Sequence, residues 1–315
     1  MTKVTPSIFI ATLLVLGLHS ASAQAQLTRT FVSANGVDTN SCGRNAPCRT
    51  LIGAYAKTNV NGEINMLDPA GYGTLTITHS ISIVNDGVGS AGILVPSLGT
   101  GITISAGTGD VINLRGLIIE GAGVGAFGIK FNSGKALTIE NCVIRNLTAD
   151  GIRFLPNASS SLAVSNTYIA DNNTGVSIAP SGSGSVTASF LRVEANNSAN
   201  GDGITVSGAS STGVINVNVT NSVLSGNASA NGLQVYSQTA QATATATVIR
   251  SALSNNSAGA AADGAKATLR IGGSTVTGNG SGWFALNSAT VLSYGDNQID
   301  GNLFANIAPP FLAKK

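Results

Sequence analysis

The chain has 315 residues, enough for one large domain or two small ones. Only 10% of them are charged and 5% aromatic, while Gly reaches 39 residues; Glu and Lys are scarce, so long helices are disfavoured, and Ser, Thr, Asn, Val and Ile suit strands and turns. The net charge of +2 argues against a nucleic-acid partner and against an acidic solvating tail.

Residues 1–25 read as a signal peptide. Lys3 supplies the positive end, Ile8 to Leu18 form an apolar run too short to span a bilayer, and small residues follow, with cleavage after Ala23 or Ala25. No later segment is long and apolar enough to cross a membrane, so the mature chain is expected to be secreted or periplasmic. Residues 26–59 follow as an N-terminal segment. In it Cys42 and Cys48 flank a short loop, CGRNAPC, and are expected to form a local disulfide in an oxidising space. A metal site is the lesser alternative, since no His or third Cys lies nearby. Cys142 sits among strand residues and is expected to be a small core residue.

Residues 60–302 repeat. Counted from the first apolar residue of a strand, the repeats start at Ile112, Leu137, Leu162, Val186, Val217, Ala246, Leu269 and Leu292, spaced by 25, 25, 24, 31, 29, 23 and 23 residues. A period of this size signals a solenoid. Seven places on, every repeat has an aliphatic residue, from Ile119 and Ile144 through Val193 to Ile299. Ten places on stand Asn172, Asn196, Asn227, Asn256, Asn279 and Asn302, with Asn146 one place early in its repeat. A Gly and an apolar-x-apolar strand follow, as in Gly128-Ile129-Lys130-Phe131, Gly151-Ile152-Arg153-Phe154, Gly203-Ile204-Thr205-Val206 and a weaker Gly264-Ala265-Lys266-Ala267.

Alternation of this kind makes strands with one buried face. Such short strands must pair edge to edge with the next repeat, so stacking in parallel satisfies every edge except at the two ends. Equivalent residues then pile up about 4.8 Å apart. A column of Asn at a bend can bond to itself, each amide donating to one neighbour and accepting from the other. The Gly beside it is expected to supply a left-handed backbone.

The pattern resembles the right-handed parallel β-helix repeats of the pectate-lyase-like superfamily, over roughly residues 60–302. The resemblance implies an all-β, single-domain parallel β-helix. Ile64, Met66, Leu75, Ile77, Ile81, Ile83, Ile93, Val95, Ile102 and Ile104 look like earlier, less regular coils. Segment 30–56 is similar to the opening of many such proteins: a first strand, the turn Gly36-Val37-Asp38-Thr39-Asn40, then Pro47-Cys48-Arg49-Thr50 leading into a short helix. Thr50 would cap that helix, and Leu51, Ile52, Ala54 and Tyr55 would plug the open end. The tail, 303–315, would cover the other end with Ile307 to Leu312.

Chemistry is sparse. Of two histidines, His19 belongs to the signal peptide and His79 sits alone. No two acidic residues are adjacent, and the Asp pairs, Gly-His-Gly and Arg-Ile-Lys strings of the superfamily's polygalacturonase-like hydrolases are missing. Its lyases cleave uronate polysaccharides by β-elimination, with an Arg or Lys base and often Ca²⁺ on carboxylates. The outward position after each Gly reads Lys130, Arg153, Ser177, Thr205, Gln234 and, weakly, Lys266. Lys130 and Arg153 fall on adjacent coils, with Asp150 beside them, and are the candidate catalytic residues. The competing interpretation is structural: Asp150, Asp202, Asp263 and Asn231 each precede a Gly, which is ordinary turn chemistry. Glu120 and Arg145 look like a cross-strand ion pair, and one of Trp283 and Phe284 must face out.

Two functions survive. One is a carbohydrate-binding or surface-associated module without catalysis, having no cofactor. The other is a uronate polysaccharide lyase, for which Ca²⁺ is a candidate cofactor. A polysaccharide is the expected partner of either, with no nucleic acid and no membrane span; no residue pattern fixes an oligomeric state.

Overall fold

In the computed structural model, which describes residues 26–313, the chain winds as one parallel β-solenoid with almost no helix. The expected signal peptide lies outside the described residues. Two hydrogen-bonded sheets, of 19 and 9 strands, run along the axis; the larger folds into two faces, taken below as the first and second sheets, and the smaller is the third. The first stacks Thr58–Met66, Ile81–Val84, Val111–Arg115, Ala136–Glu140, Val214–Thr220, Thr243–Ile249, Ala267–Gly272 and Thr290–Ser293. The second stacks Ala91–Leu94, Leu117–Glu120, Val143–Arg145, Val223–Ser225, Ala252–Ser254, Thr275–Thr277 and Gln298–Ile299. Two long strands, Ser160–Ala170 and Val186–Asn196, bend and run through both. The third sheet passes from Leu75–Ile77 through Phe127–Ser133 and Asp150–Phe154 to Ala258–Asp263 and Ser281–Leu286.

Period-two alternation decides which residues go inside. Ile129, Ile152, Val176, Ile204, Leu233 and Ala260 form one buried row of the third sheet. The earlier apolar residues from Ile64 to Ile104 are buried as well. Phe131 and Phe154 stack inside with ring centroids 4.4 Å apart. Cys142 is buried and free, and its low-dielectric site pushes the thiol up to about 11. Cys42 and Cys48 form the disulfide. One short helix, Leu51–Tyr55, follows Thr50, whose hydroxyl accepts the Gly53 N–H at 3.0 Å; Leu51 and Ala54 are buried.

The register corrects several expected positions. Ala188, not Val186, pairs with Leu162 and Val217, and Val291, not Leu292, pairs with Leu269. A loop, 179–185, precedes Val186, so the first apolar residue there lies two places ahead of the common frame. With the frame moved, position ten is Ser198, and Asn196 leaves the column to become a partly exposed strand end bonded to Ser225. The aliphatic place falls on Ala195 rather than Val193. The eighth strand of the third sheet is Ala258–Asp263, so Lys266 is an exposed turn residue and Asp263 pairs with Tyr236, away from the Asp150 column.

The Asn column forms. Asn172, Asn227, Asn256, Asn279 and Asn302 are all buried. Oδ1 of each accepts a backbone N–H from the preceding coil, at 2.8–3.1 Å. Leu147, not Asn146, is the first donor. The stack ends when Asn302 N–H reaches Asn306 Oδ1 at 2.9 Å. A second stack lines the other bend. Oγ of Ser222, Ser251 and Ser274 accepts the N–H of Val193, Ser222 and Ser251, each at 3.1 Å, and Asn297 Oδ1 accepts from Ser274 at 2.9 Å. Each of these serine hydroxyls donates to the carbonyl two residues earlier, so its polar atoms are satisfied in place.

Left-handed backbone sits immediately before these stacks, not at the glycines that follow them. Asn166, Arg192, Asn221 and Arg250 adopt φ of 48–53° at one corner; Asn146, Asp171, Asn197 and Asn255 adopt 56–58° at the other. Gly232 is needed for another reason: a Cβ there would lie 2.7 Å from the carbonyl oxygen of Gly259 on the next coil.

At the C-terminal end Trp283 faces inward over Ala260, and Phe284 faces out. The Trp283 indole N–H donates to the Ile307 carbonyl at 2.8 Å.

Candidate functional site

The site lies on the outer face of the third sheet. Lys130 sits on Phe127–Ser133 and Arg153 on Asp150–Phe154, and the two residues are direct register partners. Alternation turns them outward because Ile129, Phe131, Ile152 and Phe154 turn in. Their column continues through Ser177, Thr205 and Gln234.

Phe127 organises the pair. Lys130 Nζ stands 5.4 Å and the Arg153 guanidinium carbon 5.0 Å from the centroid of its ring. Both cations therefore lie against one aromatic ring, whose quadrupole attracts them. The sequence reading missed Phe127.

Asp150 is also drawn in. Its Oδ2 lies 3.6 Å from Arg153 Nε. The carboxyl is 8% exposed, and burial raises it above the usual carboxylate range despite the opposing pull of Arg153 and of Thr174. Arg153 Nε is buried and makes no hydrogen bond. The next acidic residue along this edge is Asp202, two coils on, buried and occupied by Thr205 and Asn231. Among the described residues no three Asp, Glu, His or Cys side chains come together, and a single carboxylate turned toward an arginine does not make a Ca²⁺ site.

The remaining candidates stand apart. His79 stacks on Tyr55, with rings 4.5 Å apart and 8° from parallel. Arg145 and Glu120 form their expected ion pair at 2.7 Å. Surface hollows open along the corner between the first and second sheets, one of 530 Å³ beside Asp86 and Arg115 and one of 410 Å³ beside Arg250 and Tyr294.

The family model described as right-handed β-helix region matches residues 74–249. The chain belongs to this family. Among solved structures this right-handed β-helix protein is similar to pectate lyase Pel9A, with a TM-score of 0.54 and 15% identity over 88% of this chain and 71% of that one. At that identity the likeness is one of fold. No curated protein matches the chain. No helix among the described residues is long and apolar enough to cross a membrane.

Proposed function

We propose that the protein is a secreted or periplasmic carbohydrate-binding β-helix that performs no catalytic step, and that an acidic polysaccharide lies along the third sheet over Phe127, Lys130 and Arg153. The observation that carries this reading is the pair of cations on adjacent coils over one phenylalanine ring. Two fixed positive charges about 5 Å apart suit carboxylates repeated along a chain, and Ser177, Thr205 and Gln234 extend the track with neutral hydrogen-bonding groups. A base for β-elimination must shed its proton. A guanidinium is a permanent cation and reaches the Asp150 carboxyl at 3.6 Å, which supports holding over abstraction. The short helix at Leu51–Tyr55 serves in this reading as the N-terminal plug of the solenoid.

Affinity electrophoresis in polygalacturonate against a neutral glucan tests it. The wild type is retarded by the acidic polymer alone, and Lys130→Ala and Arg153→Ala each weaken retention by about tenfold, roughly 1.4 kcal/mol. No retardation, or equal retardation of the variants, overturns it. The second reading, a uronate lyase, rests on the convergence of Lys130, Arg153 and Asp150. It requires ultraviolet absorbance of an unsaturated uronate to rise on incubation and to vanish in Lys130→Ala.

A further inference from the structure

The two ends of the solenoid differ. At the N-terminal end the short helix tucks Leu51 and Ala54 into the core, and the surface strand carries an Arg29–Glu63 ion pair at 2.9 Å. At the C-terminal end the large apolar side chains face solvent: Leu286 is 51% exposed, Leu303 73%, Phe304 65%, Ile307 83% and Phe311 68%. All of them belong to the last coil and the tail that follows it. Phe304 bridges to Ser281 and Phe311 to Ser293, so the tail continues the parallel stacking over the last coil. We propose that this end is the interface of a tail-to-tail homodimer.

Three features select a second copy of the chain as the occupant. The first is area. At roughly 200 Å² for a fully exposed large side chain, these five residues present on the order of 700 Å², close to the roughly 800 Å² per partner of a stable interface. Exposed apolar patches of this extent mark contact surfaces. The second is charge. No charged residue occurs between Asp300 and Lys314, so Leu303, Phe304, Ile307 and Phe311 can face their own copies across a twofold axis with no charge among them. Among the described residues the N-terminal end exposes three large apolar side chains, Val37, Ile52 and Val60, against the five of the C-terminal end, so a head-to-tail contact would bury less apolar surface. The third is the edge itself. Pro309 and Pro310 have no N–H to donate, which interrupts strand pairing at the tail and leaves side-chain packing as the contact. The assembly closes at two copies and does not grow into a fibre.

Sedimentation velocity of the chain from residue 26 onward, across a micromolar concentration series, tests the proposal. The expected species has twice the protomer mass. The double variant Phe304→Asp, Ile307→Asp raises the dissociation constant by at least about tenfold with an unchanged far-ultraviolet circular dichroism spectrum. In an independent test, Ile307→Cys oxidises to a covalent dimer, whereas Ser189→Cys on the outer face of the first sheet does not. This test decides the matter if the double variant fails to fold. A monomer at every concentration, a dimer indifferent to the double variant, no Ile307→Cys cross-link, or an open series of larger oligomers would each overturn it.

Discussion

Asn227 sends two donors to one oxygen: its backbone N–H and its side-chain Nδ2–H reach Asn256 Oδ1 at 3.1 and 2.9 Å. Asn256 in turn gives its own two donors to Asn279 Oδ1. Each rung thus satisfies the backbone of the coil before it inside a buried bend, where water cannot substitute.

Asn256→Ala strands both Asn227 donors and is expected to lower unfolding stability by about 3 kcal/mol. Asn196→Ala, at the same interval in the primary structure but outside the stack, costs less than about 1 kcal/mol. Chemical denaturation of the two variants side by side checks the contrast. Equal losses would mean that the column carries no special weight.

Gly232→Ala places a methyl 2.7 Å from the Gly259 carbonyl oxygen and 2.9 Å from Asn256 Nδ2. The coils must part locally, at a cost of about 1–3 kcal/mol. Gly71→Ala, where no atom lies within 4 Å, serves as control and leaves the melting temperature almost unchanged. A comparison of the two melting temperatures decides the point.

Two carboxyls, Asp202 and Asp110, set opposing pH dependences. Burial raises Asp202 above the ordinary carboxylate range, though Thr205 and Asn231 pull it down. Its contribution to stability is therefore full below the unfolded value and is lost as pH rises through the folded one. Asp110 is lowered, chiefly by the Ser80 hydroxyl, so its contribution is present above the unfolded value and is lost as pH falls through the folded one. Asp202→Asn should flatten the decline in stability as pH rises above the ordinary Asp value, and Asp110→Asn should reduce the loss in acid. Melting temperature against pH for both variants tests the signs, and an interchange of the two effects would refute the assignment.

The Cys42–Cys48 bridge closes a short loop beside the first coil. Replacing both cysteines by Ser is expected to cost about 2 kcal/mol. Limited proteolysis should then cut first within residues 40–50, and cleavage elsewhere at an unchanged rate would argue against a local role.

The repeat was legible in the chain because Gly, Asn and aliphatic residues recur at fixed intervals from Ile112 to Ile299. The slip at Val186 has a local cause. Ala188, the true frame residue, is less conspicuous than the valine two places earlier, and a one- or two-place shift is invisible until pairing fixes the register. The serine stack escaped notice because Ser is abundant everywhere in this chain, so Ser222, Ser251 and Ser274 do not stand out. Adjacency of Lys130 and Arg153 followed directly from the spacing of Gly128 and Gly151. Phe127 did not, because a ring in contact with two cations depends on side-chain reach, which a period cannot encode. Cramped space at Gly232 was mistaken for a left-handed bend, since both demands select the same residue.

Trp283 is the one tryptophan of the chain, and it packs half-buried against the core at the terminal coil with its indole bonded to Ile307. Its emission accordingly reports on a single extremity of a long rod. As the C-terminal coil frays, the indole meets water and its spectrum shifts to the red, while the stacked asparagines deeper along the axis remain protected. A solenoid has no centre that melts all at once, and here the fluorophore is already placed where loosening begins to show.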